Sequence, residues 1–389
     1  MPIKNRFAEL LPEITAWRRD FHANPELLYD VHRTAGVVAE KLREFGCDEV
    51  VTGIGKTGVV GVIRGRQTGS GKVVGLRADM DALPITEITG AAYASKTPGL
   101  MHACGHDGHT AMLLGAAKYL AETRNFDGTV VLAFQPAEEG GAGGLAMVED
   151  GLMDRWGIQE VYGMHNSPGL PVGEFAIKPG ALLASADEIE ITVTGKGGHA
   201  AMPHKAVDTT LVASHIVVAL QSVVSRNADP LHSIVVSVCT FQTDSPAHNV
   251  IPQTVVMKGT VRTLDPSLRD LAEARIPAIA GSIAEAFGAS AVVDYKRGYP
   301  VTMNTPENTA FAAAIAEEVT GKPTNDVTPQ MPAEDFAYML EARPGAYMLI
   351  GNGDSAFCHH PAYDFADEAI PYGCSWFATL VERRMPLSA

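Results

Sequence analysis

Positive charge is in short supply in this chain. Its 389 residues carry 30 Lys and Arg against 45 Asp and Glu, a formal net charge of −15. Nucleic acid and anionic membrane surfaces both recruit basic faces, so neither is an expected partner. An anionic substrate would need local positive groups or a metal to offset the overall field. Cysteine is sparse too, with Cys47, Cys104, Cys239, Cys358 and Cys374 odd in number and far apart. That argues against a disulfide framework and for a cytoplasmic protein, in which a thiol stays free to act as a ligand. Long apolar runs are also missing, and no segment is expected to span a bilayer. The N-terminal stretch MPIKNRFAELLPEITAWRRDFHANPEL has no uninterrupted apolar core and no small-residue cleavage site. It is expected to be a helix, not a signal peptide.

What is present is a 46% apolar fraction over a length that favours two domains. Apolar positions at helical spacing from Thr34 to Phe45, closed by Gly46, predict a helix. Buried-strand patterns then alternate with helical ones: VVGVI from Val59, VVGLR from Val73, AMLLGAAKYLAE from Ala111 and TVVLAF from Thr129. Such alternation predicts an α/β catalytic domain with a mostly parallel sheet. Near Ser185 the pattern changes. DEIEITVTG alternates polar and apolar residues, as a strand with one wet face does. The order βαββαβ follows, which predicts an inserted α+β domain over 185–299, with 1–184 and 300–389 forming the first domain.

The densest chemistry lies in MHACGHDGHT, residues Met101 to Thr110. Cys, His and Asp all donate electron pairs to divalent metals, and Gly105 and Gly108 let the backbone turn them toward one point. Cys104 and His106 are expected in a loop before a helix starting near Gly108, whose N-terminus would favour a thiolate at Cys104. His102 and His109 are weaker ligand candidates than His106. Glu138 and Glu139 follow the strand TVVLAF and precede four glycines in five residues. Being adjacent, they point in different directions, which suits one carboxylate on a metal and one acting as general base. His165 follows VYGM at a strand tip, where open α/β sheets bind ligands. His359 and His360 stand together in FCHHPAYDF, and spacing alone does not choose between them. Two metals about 3.5–4 Å apart would need a shared anionic ligand, a role open to Cys104 as thiolate. His22, His32, His215 and His232 are left as ordinary histidines.

Together RRDFHANPEL, GLRADMDALPI, MHACGHDGHTAMLLGAA, QPAEEGGAG, GMHNSPGLPVG, GKGGHAAMPH, AHNVIP and HHPAYDF resemble the co-catalytic metallohydrolases. That family includes aminoacylases and carboxypeptidase G-like enzymes. The resemblance covers nearly the whole chain and is strongest to the branch of hippurate hydrolase and the plant auxin–amino-acid conjugate hydrolases. It implies a zinc-peptidase-like catalytic domain with an inserted lid and dimerisation domain, and a homodimer or homo-oligomer. It implies metal ligation by Cys104, His106, Glu139, His165 and His359, His359 being selected over His360 by an H-x-P pattern. Glu138 would be the general base and Asp81 the orienting aspartate. His199 would hold the carbonyl oxygen in the transition state, and Asn249 and Arg262 would bind the substrate carboxylate. The wider family has a metal-binding histidine where this chain has Asp79, which is not counted as a ligand.

The expected activity is hydrolysis of the amide bond of N-acyl or N-aroyl amino acids, with two divalent ions per chain. Zinc is the first choice, and manganese or nickel could fill the same ligands. A dipeptidase or carboxypeptidase, or an N-acetyl-amino-acid deacetylase, would use the same site. Rivals of other classes are a cysteine hydrolase with Cys104 as nucleophile and a non-catalytic binding protein.

Overall fold

A computed structural model describes residues 5–388. The chain separates into two compact units, one of residues 1–182, 303–328 and 335–389, the other of residues 183–302 and 329–334.

The larger unit is built on a seven-stranded sheet. Its strands run in the order Glu49–Ile54, Gly58–Arg64, Thr129–Gln135, Val73–Asp79, Glu160–Ser167, Gly345–Gly351 and Phe175–Ala176. The four strands from Thr129–Gln135 to Gly345–Gly351 are mutually parallel, and the flanking strands pair antiparallel. Parallel strands are buried on both faces, which explains why VVLAF and GAYMLIG are nearly unbroken apolar runs. The helices Asn5–Ala23, His106–Thr123 and Ile370–Arg384 contribute Ile14, Leu113 and Trp376 to the single core of this unit.

The smaller unit has the order βαββαβ. Its antiparallel sheet runs Ile234–Thr243, Thr254–Thr263, Ser185–Thr194, Ser290–Arg297. Along Ser185–Thr194 burial alternates, with Ile189, Ile191 and Val193 packed in a second core and the intervening residues wetter. Helices Thr209–Ser222 and Pro266–Ala286 supply Val212, Ile216, Ala272 and Ile276 to that core. Asp208 and Asp265 cap these two helices, their carboxylates accepting backbone N–H groups of the first turn.

One helix is longer and more apolar than expected. The helical stretch Thr209–Asn227 is 19 residues long, apolar and long enough by length and composition alone to reach across a bilayer. Val212, Ala213, Ile216 and Leu220 instead pack on the small unit's sheet. Short polar residues between them keep the sequence from reading as one apolar run.

Candidate metal centre

Four segments of the larger unit bring their chemistry together at the ends of its parallel strands. The helix His106–Thr123 begins two residues earlier than its sequence suggests, so His106 is its first residue, not part of a preceding loop. Gly105 is the cap residue at φ 89°, a left-handed conformation that glycine adopts without strain. Space demands glycine as well, since a Cβ there would lie 2.2 Å from Asn166 Nδ2 and 2.4 Å from the Tyr363 hydroxyl.

Asp81 follows the strand Val73–Asp79 and organises what lies around it. Its Oδ1 accepts the Glu138 backbone N–H at 3.0 Å and its Oδ2 that of Glu139 at 3.1 Å. Its carbonyl accepts from His106 Nδ1 at 2.9 Å. That bond fixes the tautomer and leaves His106 Nε2 buried without a hydrogen-bond partner. Glu139 Oε1 is likewise buried without one, 3.9 Å from His106 Nε2 and 3.3 Å from His359 Nε2. His165 has its Nδ1 2.7 Å from the Asn166 carbonyl and its Nε2 3.3 Å from Cys104 Sγ.

Ligand atoms within 4.8 Å of one another form two sets that share a thiol: Cys104 with His106 and His165, and Cys104 with Glu139 and His359. His106, Glu138 and Glu139 form a third set. Thiol, imidazole and carboxylate at this spacing suit a pair of borderline divalent cations. The two orphaned buried atoms, His106 Nε2 and Glu139 Oε1, fit that occupant, because buried polar atoms in native proteins otherwise have partners.

The electrostatics agree. Burial lowers the basicity of His106, but Asp79, Asp81 and Glu139 outweigh it and hold the imidazole well above its usual range. The cluster therefore favours positive charge. The expected thiolate at Cys104 is not favoured in the cation-free cluster. A hydrogen bond with Cys358, burial, and the Glu139 and Glu138 carboxylates push its thiol well up, which outweighs one helix N-terminus. A divalent cation held there would reverse that balance, because it is a larger local charge than any of these groups.

His360 is separated from His359 by the turn: its Nδ1 accepts the Ala362 N–H at 3.0 Å, while His359 faces Glu139. His359 and Ala137, which precedes Glu138, both have positive φ, 66° and 55°. Non-glycine residues seldom adopt that region, and such strain concentrates at functional sites. His109 is committed elsewhere, with Nδ1 2.6 Å from Asp79 Oδ1 and Nε2 accepting the Asn166 N–H at 2.9 Å. Asp79 also takes Arg77 at 2.7 Å, so both its oxygens are occupied by protein groups. His102 is fully buried, joins none of the ligand sets, and is pushed down to about 3 by burial.

Three features had not been singled out. Asn166 donates to the Cys104 carbonyl at 2.5 Å and accepts from the Tyr363 hydroxyl at 2.7 Å, tying two ligand segments together. Cys358, adjacent to His359, lies against Cys104 and is lowered to about 6 by its hydrogen bond to that thiol. His22, set aside as ordinary, is buried against Asp107, its Nδ1 2.9 Å from the carboxylate next in sequence to His106. The available signal was the density of polar residues in RRDFHANPEL, which a surface helix does not explain.

His199, Asn249 and Arg262 belong to the smaller unit. His199 is exposed, pairs with Val250 in a two-stranded ladder, and accepts the Ala201 N–H at its Nδ1 at 3.1 Å. Asn249 stands beside it, its carbonyl accepting the Ala200 N–H. Arg262 is half-buried on the strand Thr254–Thr263, with no carboxylate in ion-pair reach among the described residues.

An α/β domain that delivers thiol, imidazole and carboxylate donors to one point beyond its parallel strands defines a metallohydrolase with a two-ion centre. The comparisons narrow that class. The sequence model described as Peptidase family M20/M25/M40 matches residues 75–383, and the chain belongs to that family. Hippurate hydrolase of Campylobacter jejuni is 44% identical over 374 residues, 96% of each chain. N-acetyl-L-cysteine deacetylase of Bacillus subtilis is 42% identical, covering 91% of this chain and 83% of that protein. The crystal structure of the Bacillus subtilis YXEP protein, described as a dinuclear metal-binding peptidase of the M20 family, superposes with a TM-score of 0.86. It is 34% identical, covering 97% of this chain and 99% of that one.

Proposed function

We propose that this protein is a metal-dependent amidohydrolase that splits N-acyl amino acids into a carboxylic acid and a free amino acid. The observation that carries this is the pair of three-residue ligand sets sharing Cys104, with Glu138 beside Glu139 at the same strand tip. The two most similar relatives compared above are named for N-benzoylglycine and N-acetylcysteine, both N-acyl amino acids, which supports the substrate class and leaves the acyl group open.

Cys104, His106, Glu139, His165 and His359 would hold the ions, Cys104 being common to two of the ligand sets. Two divalent ions bound there supply a Lewis acid for the scissile carbonyl and lower the pKa of water to about 7. Glu138, held by Asp81 through its backbone, takes the proton of the attacking water and returns it to the leaving nitrogen. His199 donates to the oxyanion, and Arg262 with Asn249 binds the substrate carboxylate, the guanidinium as a two-pronged donor. Zinc is the expected ion, with manganese or nickel as substitutes. The five unpaired cysteines fit a cytoplasmic enzyme, and a homodimer formed through the inserted unit is its expected assembly.

A cysteine-nucleophile reading has one contact in its favour, Cys104 Sγ at 3.3 Å from His165 Nε2. Against it, burial lowers His165 while Cys104 is raised, the opposite of a thiolate–imidazolium pair. The test is chelation. Dialysis against a chelator should abolish cleavage of N-benzoylglycine and N-acetyl amino acids, and added Zn²⁺ or Mn²⁺ should restore it. Activity that survives chelation but dies with an alkylating agent would overturn the metal mechanism.

A further inference from the structure

Resting on this functional reading, we infer that Asp335 is a positioning residue that clamps the loop carrying Glu138 and Glu139 from both of its ends. The loop leaves the sheet at Gln135 and re-enters helix at Gly143–Glu149. Asp335 is fully buried, and both its oxygens are aimed at these two points. Gln135 Nε2 donates to Oδ1 at 2.7 Å and to Oδ2 at 2.9 Å. The Gly144 N–H donates to Oδ2 at 2.7 Å. Arg77 supplies the counter-charge, donating to Oδ1 at 3.1 Å and to Gln135 Oε1 at 2.8 Å.

The ordinary reading of Asp335 is a helix cap, since it immediately precedes the helix Phe336–Ala342. Its side chain makes no capping bond to that helix. The carboxylate is spent on the loop. Asp81 holds the same loop at its tip through the Glu138 and Glu139 N–H groups, so the two aspartates fix it at three places. The loop is tight enough to register a small displacement: a Cβ at Gly143 would fall 1.7 Å from the Pro136 carbonyl oxygen. From Asp335 the polar chain continues through Arg77, Asp79 and His109 to the Asn166 N–H beside His165. All of its members are buried. One network thus sets the loop of Glu138 and Glu139 and the strand of His165 against each other.

The test uses the metal-loaded enzyme and Asp335→Asn, alone and in a Glu138→Ala background. Misplacement of a reacting group by about 1 Å can cost about a hundredfold, so kcat should fall by about that factor with KM and metal content unchanged. In the Glu138→Ala background the same change should cost at least about tenfold less, because most of its effect on kcat runs through Glu138. A general loss of structure would lower both backgrounds alike. Should Asp335→Asn fail to fold, Gly144→Ala serves. Its added methyl would meet the Asp335 carbonyl oxygen at 2.8 Å and the carboxyl carbon at 3.2 Å, prising the clamp apart with every charge kept. Unchanged kcat in the variant that folds, or an equal loss in both backgrounds, overturns the proposal. A metal-loaded wild-type protein that cleaves no N-acyl amino acid sinks the functional reading instead. The clamp is then read directly as faster hydrogen exchange at the Gly144 amide in the variant, and unchanged exchange refutes it.

Discussion

Most candidate site residues of the larger unit are buried, whereas those of the smaller unit are not. In the larger one the chemistry is sunk into the protein: Asp79, Asp81, His106, Asp107 and Asp335 are each at most 1% exposed. Asp79, Asp81 and Asp335 are held by protein groups at both oxygens, and that framework leaves His106 Nε2 and Asp107 Oδ1 without partners. In the smaller unit His199 is exposed on a short ladder and Arg262 is half-buried without a carboxylate partner. A buried site is fixed by shape, because interiors pack densely and unpaired polar atoms there are costly. An exposed residue is fixed only by its strand, and its orientation stays adjustable. The first arrangement suits holding ions at set distances. The second suits gripping a substrate that must arrive and leave.

That contrast can be broken at several points. The largest effect is expected from Glu138→Ala, with turnover reduced by roughly a thousand- to ten-thousandfold while metal content, measured by elemental analysis, stays at the wild-type level. Gly105→Ala comes next. It forces an unfavourable φ and a clash with Asn166, so both metal content and melting temperature should fall, by an amount of order 1–3 kcal/mol in stability. His199→Ala should leave the melting temperature unchanged, since surface substitutions stay within about 0.5 kcal/mol. It should lower kcat about a hundredfold if the residue donates to the oxyanion. Arg262→Ala should show the same unaltered melting and raise KM for N-acyl amino acids about tenfold or more. A drop in melting temperature for either of the last two, comparable with Gly105→Ala, would erase the distinction between the units.

The smallest effect is one of pH. Burial works against a charge on His22, but Asp107, and then Glu87, hold its imidazole up at about 9. The folded value lies above the unfolded one of about 6.5. Its stabilising contribution is therefore complete below about pH 6.5 and is lost as pH rises through 9. Thermal melts of wild type and His22→Gln should converge across that window. Parallel melting curves from pH 6 to 10 would show that His22 carries no charge in the fold.

Much of this was legible in the sequence because the signals are local. The buried parallel strands appear as apolar runs, and MHACGHDGHT concentrates ligand types in ten residues. The start of the helix at His106 was not legible, because Gly105 reads as loop and only its left-handed φ makes it a cap. The network behind the site was hidden for a different reason. Arg77 and Asp79 lie in a central strand, His109 in a helix, Asn166 in another strand and Asp335 far along the chain. Nothing local links them, and their meaning lies in distances that spacing along the chain does not encode. The surroundings of Cys104 were not legible either, because the two glutamates and the second thiol are brought beside it only by folding.

The central claim is that Cys104 joins imidazole and carboxylate ligands around bound cations. X-ray absorption at the zinc edge of the reconstituted enzyme tests it most directly. The account predicts a sulfur scatterer at about 2.3 Å together with nitrogen and oxygen near 2.0–2.2 Å, the sulfur disappearing in Cys104→Ser. A shell of nitrogen and oxygen alone in the wild-type protein, or a protein that takes up no metal, would contradict it.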